Sequence, residues 1–275
     1  MKAITRRPAA DAPPPARRPV RWGGRLLSVA AFVLAASILV PSAQAATGDL
    51  RYDGCIGDLA GCTPTSPAGA LDGAAAVAVT PGGTDLYAAS HTGDDVSHFR
   101  IDTAGNLIFA GCIGNLTGCT PVTANALDGA DAVAISGANL YVAADNGEDV
   151  SHFRIDPAGN LTFAGCIGNL AGCTPVTANA LNAAVGHSAT PSGTDLYAAS
   201  RLGNVISHFR IDSAGNLIFA GCIGGLAGCT PITPHVLDNA LGLAVTRDSA
   251  HLYAAAFLGN AVSHFTIAPL SAARH

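Results

Sequence analysis

One four-residue motif constrains the fold of this chain more than any other feature. V/I-S-H-F occurs four times, with spacings of 54, 56 and 56 residues between its histidines, which are His98, His152, His208 and His264. The string GCIG recurs with almost the same period. Self-similarity at this period is typical of architectures in which each repeat is one supersecondary unit stacked on the next. Four tandem copies of one module of roughly 56 residues therefore account for the chain after residue 45.

Each module predicts four short strands. In the first module they cover 75–79, 85–90, 96–101 and 106–111, and the turn clusters TPGGT, HTGDD and DTAG separate them. Runs of β-branched and aromatic residues bounded by Gly, Pro and Asp indicate strands and tight turns. Four antiparallel strands per tandem repeat are typical of a β-propeller blade, so we expect an all-β propeller.

The two ends of the repeat region predict how the ring closes. The segment ATGDLRYDGCIG at 46–57 aligns with TAGNLIFAGCIG at 103–114, so residues 50–56 resemble a fourth strand without the three before it. The last repeat reaches its third strand near residue 267 and then departs from the pattern. We expect the early strand to complete the last blade and close a four-bladed ring, because pairing removes exposed sheet edges. An eight-bladed ring shared by two chains is the alternative.

The first 45 residues read as a secretory signal. Residues 1–25 are basic and Pro-rich, residues 26–40 are an uncharged run of 15, and Ala43-Gln44-Ala45 supplies a small-residue cleavage site. Fifteen residues are fewer than the ~20 that span a bilayer. We therefore expect a signal peptide at 1–45, a propeller domain at 46–275, no membrane span after cleavage, and a secreted or periplasmic location.

Charge excludes one class of partner. From Ala46 onward the chain has seven Arg, no Lys and 18 Asp or Glu residues, a formal charge of −11. A surface of this sign repels phosphates, so nucleic acid is not expected as a partner. The expected partner is a small molecule or an extracellular or cell-surface component of unknown identity. A monomer is expected, and a dimer is left open.

All eight cysteines fall into C-x6-C pairs, one after each predicted fourth strand. In an exported protein, an even number of cysteines at a fixed repeat indicates disulfides. The spacing is not that of a zinc knuckle. The predicted disulfides join Cys55 to Cys62, Cys112 to Cys119, Cys166 to Cys173 and Cys222 to Cys229.

The runs AVAVTPGGTDLYAAS and DDVSHFRIDTAGNL resemble the bacterial lactonase and YVTN-type propellers, over about residues 47–267. In that family the implied activity is lactone hydrolysis at a central site that uses His, Arg and Glu. His187, Arg201 and Glu148 fit this set by residue type, although none lies in a clear family motif. His187 also breaks the repeat, because Val77, Val133 and Leu243 hold its position in the other modules.

The loops between the second and third strands vary most and predict a binding rim. One aligned position holds His91, Asp145, Arg201 and Phe257, and two later positions are acidic in the first two modules, as Asp94, Asp95, Glu148 and Asp149. Hard cations prefer carboxylates, so Ca²⁺ is a candidate ligand there, although no cofactor is required. The repeated V/I-S-H-F histidines are expected to be structural, because four third-strand positions cannot converge on one ion.

These patterns predict an exported, disulfide-stabilised propeller that acts as a binding or interaction module. Lactonase-like or cyclase-like hydrolysis of a small lactone is the first alternative, motivated by the resemblance and by His187. A structural repeat protein without a ligand is the second.

Overall fold

The computed structural model describes residues 48, 50–123 and 125–268, so the predicted signal peptide lies outside the described residues. Contacts divide the chain after Arg51, and the four repeats all lie in the part that begins at Tyr52. The described residues contain only strands, turns and loops. No helix among them is long and apolar enough to cross a membrane.

Each of the first three repeats folds into one four-stranded antiparallel sheet, and the fourth into a three-stranded sheet. We number these sheets blades 1 to 4. Blade 1 contains β1 (Ala74–Val79), β2 (Asp85–Ser90), β3 (Asp95–Ile101) and β4 (Leu107–Gly114); blade 2 contains β5 (Ala130–Ser136), β6 (Asn139–Ala144), β7 (Asp149–Ile155) and β8 (Leu161–Gly168); blade 3 contains β9 (Ala184–Ala189), β10 (Asp195–Ser200), β11 (Val205–Ile211) and β12 (Leu217–Gly224); blade 4 contains β13 (Ala240–Val245), β14 (His251–Ala256) and β15 (Ala261–Thr266).

The turn before each fourth strand shows why D-x-A-G-N recurs. In blade 1 the Asp102 carboxylate accepts hydrogen bonds from the backbone N–H groups of Ala104 and Asn106, both at 2.8 Å. Gly105 has a φ of +88°, a left-handed conformation that glycine adopts without steric cost. The same turn follows β7 and β11. Local chemistry thus fixes the register of β3 on β4.

The hydrophobic core lies between blades. Between blades 1 and 2, Tyr87, Ala89 and Val96 pack against side chains that include Val142 and Phe153, and all five are fully buried. Equivalent clusters join blade 2 to blade 3 and blade 3 to blade 4. Alanines of the second strands, such as Ala89, Ala143 and Ala199, are fully buried in these clusters beside the larger side chains.

The two ends of this stack are exposed. On the side of blade 1 that faces away from blade 2, Val77 and Val79 are 64% and 49% exposed; we call this the leading face. On the side of blade 4 that faces away from blade 3, Tyr253 and Val262 are 40% and 74% exposed and Ala255 is also exposed; we call this the trailing face. The four blades therefore form an open arc, and the apolar face at each end is not covered by any other described strand.

The predicted closure of a four-bladed ring is not seen in this arc. Among the described strands β15 pairs only with β14, and residues 50–55 form no strand. Tyr52 is 78% exposed instead of lying beside β15. The expectation depended on blade 4 reaching blade 1, whereas the leading and trailing faces are both open.

The four predicted disulfides are confirmed, and the described residues include no free cysteine. Each one closes the loop after a fourth strand or its equivalent, where a bridge such as Ile113 to Thr120 also holds the loop. Disulfides persist in oxidising compartments. Their presence agrees with the extracytoplasmic location expected from the sequence.

Candidate functional site

The repeated histidines belong to the seams between blades. In blade 1, the His98 ring stacks on Tyr87 with centroids 5.0 Å apart, and its Nε2 lies 2.8 Å from Asp85 Oδ1. The Tyr87 hydroxyl donates a 2.7 Å hydrogen bond to the carbonyl oxygen of Gly159 in blade 2. The structural role expected for this histidine is therefore seen. Its partner is a carboxylate on the adjacent strand, and the tyrosine makes the contact between blades.

The other blades vary this arrangement. In blade 2, His152 Nε2 lies 2.8 Å from Asn139 Oδ1, and Tyr141 donates to Gly215 of blade 3. Burial, with the nearby Arg154 guanidinium, lowers the pKa of His152 to about 4, so this ring is neutral at pH 7. Blade 3 pairs His208 with a carboxylate again.

Four charged or titratable side chains from three blades meet at the inner rim, and we call them the rim cluster. His91 Nδ1 lies 3.0 Å from Asp131 Oδ1, and the Arg201 guanidinium donates a 2.9 Å hydrogen bond to Asp145 Oδ2. One ligand-type atom from each of His91, Asp131 and Asp145 lies within 4.8 Å of the others. Blade 1 supplies His91, blade 2 supplies both aspartates, and blade 3 supplies Arg201.

The rim cluster is partly accessible to solvent. The side chains of His91 and Arg201 are 38% and 34% exposed, whereas those of Asp131 and Asp145 are 21% and 12% exposed. Burial raises the pKa of Asp131, and the Asp145 charge raises it further, against the lowering effect of His91 and Arg201. The cluster offers a guanidinium and an imidazole at the surface, above two carboxylates that they hold in place.

Sequence reasoning missed Asp131. It stands at the start of the innermost strand of blade 2, where the other blades have Ala75, Val185 and Leu241. The same comparison of aligned positions that singled out His187 would have found it.

Asp95 and Asp149, expected on the exposed rim, are fully buried at the start of β3 and β7. In each, one carboxylate oxygen accepts a hydrogen bond from a serine two residues on, and the other has no hydrogen-bond partner among the described residues. Burial raises the pKa of Asp95 to about 7 and that of Asp149 to about 8. Both carboxyl groups point into the protein and lie beside a disulfide, so they are not in contact with solvent.

Asp94 and Glu148 occupy a turn position that requires a left-handed backbone conformation. Both have a φ of +51°, and Asn204 and Asn260 have φ values of +54° and +47° at the equivalent sites. Asp94 Oδ1 accepts a 2.9 Å hydrogen bond from the Gly129 N–H of the next blade. Asp and Asn are enriched in this left-handed region, so turn geometry and blade contact explain much of the polarity read from the sequence.

Glu148 differs from its counterparts. Its Oε2 accepts a 3.0 Å hydrogen bond from the Asn169 amide, in an exposed position. Phe257, the fourth member of the varied rim position, is 68% exposed.

His187 lies on β9, the innermost strand of blade 3, as the alignment predicts. Its Nε2 donates a 3.0 Å hydrogen bond to the Tyr141 carbonyl oxygen of blade 2, whereas its buried Nδ1 has no partner among the described residues. Burial lowers the pKa of His187 to about 4. The ring is therefore neutral at pH 7, with one free lone pair.

No hydrogen bond or ion pair within the described residues joins any two of His187, Arg201 and Glu148. His187 pairs with Ala198 on β10, three residues before Arg201. At a rise of about 3.3 Å per residue, this places the two backbone positions about 10 Å apart along the strand. Arg201 instead contacts Asp145, so the structure groups the rim residues and leaves His187 below them.

Within the described part of the chain, three groups of residues lie close enough to suggest metal binding. Two of them combine Asp95 or Asp149 with disulfide-bonded cysteines. Cysteine coordinates a metal as a thiolate, and these cysteines are oxidised to disulfides, so these two groups are not candidate metal sites. The third is the His91, Asp131 and Asp145 part of the rim cluster, where Arg201 already neutralises one carboxylate.

Comparisons with known proteins establish the fold and leave the activity open. No protein-family model matches the sequence, and a search of curated proteins found no relative. The chain is similar to a Bacteroides fragilis crystal structure provisionally described as a 6-phosphogluconolactonase, at 20% identity and a TM-score of 0.52, over 70% of this chain and 50% of that one. It is also similar to a Lactobacillus plantarum protein, at 17% identity and a TM-score of 0.51, over 71% and 54% of the two chains.

The fold is that of a β-propeller, the class of fold that the sequence predicts. The chain spans about half the length of these two structures.

Proposed function

We propose that this protein is an exported, disulfide-stabilised propeller that binds a small polar ligand at the rim cluster. One observation carries the proposal: His91, Asp131, Asp145 and Arg201 come from three blades and meet where the repeats differ most. At the seams, in contrast, aligned positions repeat the same structural contact. Side chains that differ between blades and converge at a partly open rim are arranged for recognition.

The chemistry of the cluster defines the ligand class. A planar guanidinium recognises carboxylate or phosphate oxygens, and carboxylates accept hydrogen bonds from hydroxyl groups. Arg201 and His91 are the more exposed members, so an anionic group would contact them first. The proposed ligand is therefore a small hydroxylated organic anion, such as a sugar acid, and not a neutral or cationic molecule.

Calorimetry on the oxidised protein tests this binding. A panel of sugar acids and hydroxy-dicarboxylates is titrated into the native chain and into Arg201→Gln, with Arg154→Gln as the matched control because Arg154 is exposed on β7, away from the rim. We expect saturable heat that Arg201→Gln abolishes and Arg154→Gln retains. Silence across the panel, or equal binding by both variants, would contradict the proposal.

Lactone hydrolysis is the second candidate, because His187 Nδ1 has no hydrogen-bond partner among the described residues. A neutral imidazole with one nitrogen fixed by a carbonyl can accept a proton through the other. Its role as base, with Arg201 and Glu148 as partners, requires a substrate to bridge them. The test is hydrolysis of sugar lactones by the native chain and by His187→Val, since valine holds this position in blades 1 and 2. Turnover lost only in the variant supports an enzyme.

Ca²⁺ binding on the acidic rim is a separate proposal. It now depends on Asp94 and Glu148, which keep some exposure, because Asp95 and Asp149 are buried. A rise in melting temperature with Ca²⁺ that EDTA reverses would support it, and an unchanged melting curve would contradict it.

A further inference from the structure

We propose that two copies of this chain associate head to tail, so that the trailing face of each packs on the leading face of the other and the two arcs close into one eight-bladed ring. The first support is that the chain already makes this contact three times. Each internal seam joins the trailing side of one blade to the leading side of the next. The open faces at the two ends are the two halves of that same contact.

The trailing face of blade 4 carries the residues that the inner seams bury. Tyr253, Ala255 and Val262 align with Tyr87, Ala89 and Val96, which are fully buried against blade 2. The Tyr253 ring also stacks on His264, as the equivalent rings do in the seams, with the two ring centroids 5.0 Å apart. The stacked tyrosine and histidine of the seams are thus present on a face that no other described blade covers. His251 Nδ1, 3.0 Å from His264 Nε2, replaces the oxygen acceptor of the other blades.

The leading face of blade 1 carries the complementary half. Val77 and Val79 align with Val133 and Ile135, which pack into the seam between blades 1 and 2. Gly105 aligns with Gly159 and Gly215, whose carbonyl oxygens accept the hydrogen bonds from Tyr87 and Tyr141. In the ring, Tyr253 of one copy donates to Gly105 of the other.

A cleft beside blade 3 marks where the second copy adds a strand. It has a volume of 810 Å³, and Tyr197, His208, Leu252 and Phe265 are among its lining residues. The corresponding space between blades 1 and 2 is 130 Å³, where Asn160 and Leu161 at the start of β8 line it. Consequently the His208 side chain is 33% exposed, against 5% for His98. The cleft therefore lies where blade 4 would have its fourth strand.

The chain itself contains a strand sequence that fits the cleft. Residues 50–57 align with the fourth strand of blade 1, and Tyr52 aligns with Phe109, which packs edge-on against Phe99. Tyr52 is 78% exposed, and Phe265 is the blade 4 counterpart of Phe99. Because this segment precedes blade 1, a copy whose leading face meets the trailing face of its partner brings the segment to the partner's cleft.

The number of copies follows from the range of propeller sizes. Propellers typically close with four to eight blades, and a head-to-tail contact yields a ring only if its rotation closes. Two copies give eight blades, whereas three would give twelve.

Native mass spectrometry and light scattering of the purified chain, with its disulfides intact, test the ring. We expect a species of twice the chain mass. Val77→Asp and Val262→Asp should each convert it to single chains, because each puts a charge into both seams of the ring. Ile218→Asp is the matched control, since Ile218 is 53% exposed on the outer strand of blade 3 and lies on neither end face. It should keep the double mass.

Mixing the two variants gives the sharper result. A Val77→Asp copy has an intact trailing face and a Val262→Asp copy an intact leading face, so the mixture should regain a mixed pair through one intact seam. Both residues are exposed in the single chain. A single cooperative melting transition for each separated variant shows that it still folds, and its midpoint is expected below that of the native pair because association stabilises the folded state. A single-chain mass for the native protein at all concentrations would overturn the proposal, as would open-ended growth or a pair that neither variant disrupts.

Discussion

The seams between blades and the inner rim are both built from aligned positions of the same repeats. The residue types repeat from blade to blade at the seams and differ between blades at the rim. At the seams, tyrosine, histidine and an oxygen acceptor recur with distances that agree within a few tenths of an ångström. At the rim, one aligned position is His91, Asp145, Arg201 or Phe257. A repeated contact satisfies the same structural need in each blade, whereas a varied position is free to bind a ligand that lacks the symmetry of the repeats.

This contrast also separates stability from binding. The seams bury large side chains that few other contacts could replace, because each blade is rich in alanine and has little other apolar volume. The rim cluster keeps its charged groups partly in water. Seam substitutions should therefore change folding, and rim substitutions should change recognition with little effect on folding.

The largest expected effect compares two phenylalanines. Phe153 is fully buried in the seam between blades 1 and 2, and Phe257 at the rim is 68% exposed. Phe153→Ala should lower the free energy of unfolding by about 3–5 kcal/mol, because it removes buried contacts and leaves a cavity. Phe257→Ala should change it by less than about 0.5 kcal/mol. Urea unfolding of both variants at one pH measures the difference, and similar losses would break the distinction between seam and rim.

Much of this fold could be predicted from the sequence, because a repeat reports its own strand boundaries four times. The strands, the D-x-A-G-N turn and the disulfides follow from local chemistry that operates within one module. The open arc did not follow, because closure depends on the angle between blades, which small differences in packing set over the whole chain. The alignment also could not show that Asp95 turns inward while Asp94, its neighbour, stays at the rim.

The candidate site shows the same limit. His91, Asp145 and Arg201 were found because they share one aligned position, and adjacent blades bring such positions together. Their partner Asp131 comes from a different strand, so only its departure from the alanine, valine and leucine of other blades could have indicated it. The His187, Arg201 and Glu148 set rested on residue type alone, and type does not specify distance.

The next largest effect is a pH dependence of the unfolding free energy that comes from Asp149, a buried residue next to the rim position Glu148. Burial raises the pKa of Asp149 from its usual 3.8 to about 8, so the native state holds a proton that the unfolded state releases at lower pH. The stability linked to this group is complete below about pH 4 and is lost as pH rises through 8. Asp149→Val should therefore reduce the loss of unfolding free energy between pH 6.5 and 8 by about 1–2 kcal/mol.

The structure provides a control for this substitution. Blade 3 has Val205 at the equivalent position, fully buried, so valine fits there. Val205→Ala should lower stability equally at both pH values, since it removes no titratable group. His152 and His187 have pKa values of about 4, so their linked stability rises with pH only up to about 6.5 and stays constant over this window. An unchanged pH slope in Asp149→Val would show that its carboxylate is ionised in the native state.

The smallest expected effect concerns the rim ion pair. Arg201 is one-third exposed and Asp145 is mostly buried, with 2.9 Å between their charged atoms. Partly exposed pairs of this kind contribute about 0.2–1 kcal/mol, so Arg201→Gln should lower the free energy of unfolding by no more than that. The loss should shrink as salt is raised from ~0.05 to ~0.5 M in urea titrations, because salt screens exposed charges. A salt-independent loss of about 3 kcal/mol would instead mean that Asp145 is left as an uncompensated buried charge. The rim cluster would then be a structural contact between blades like the seams, and the case for recognition there would have to rest on ligand binding alone.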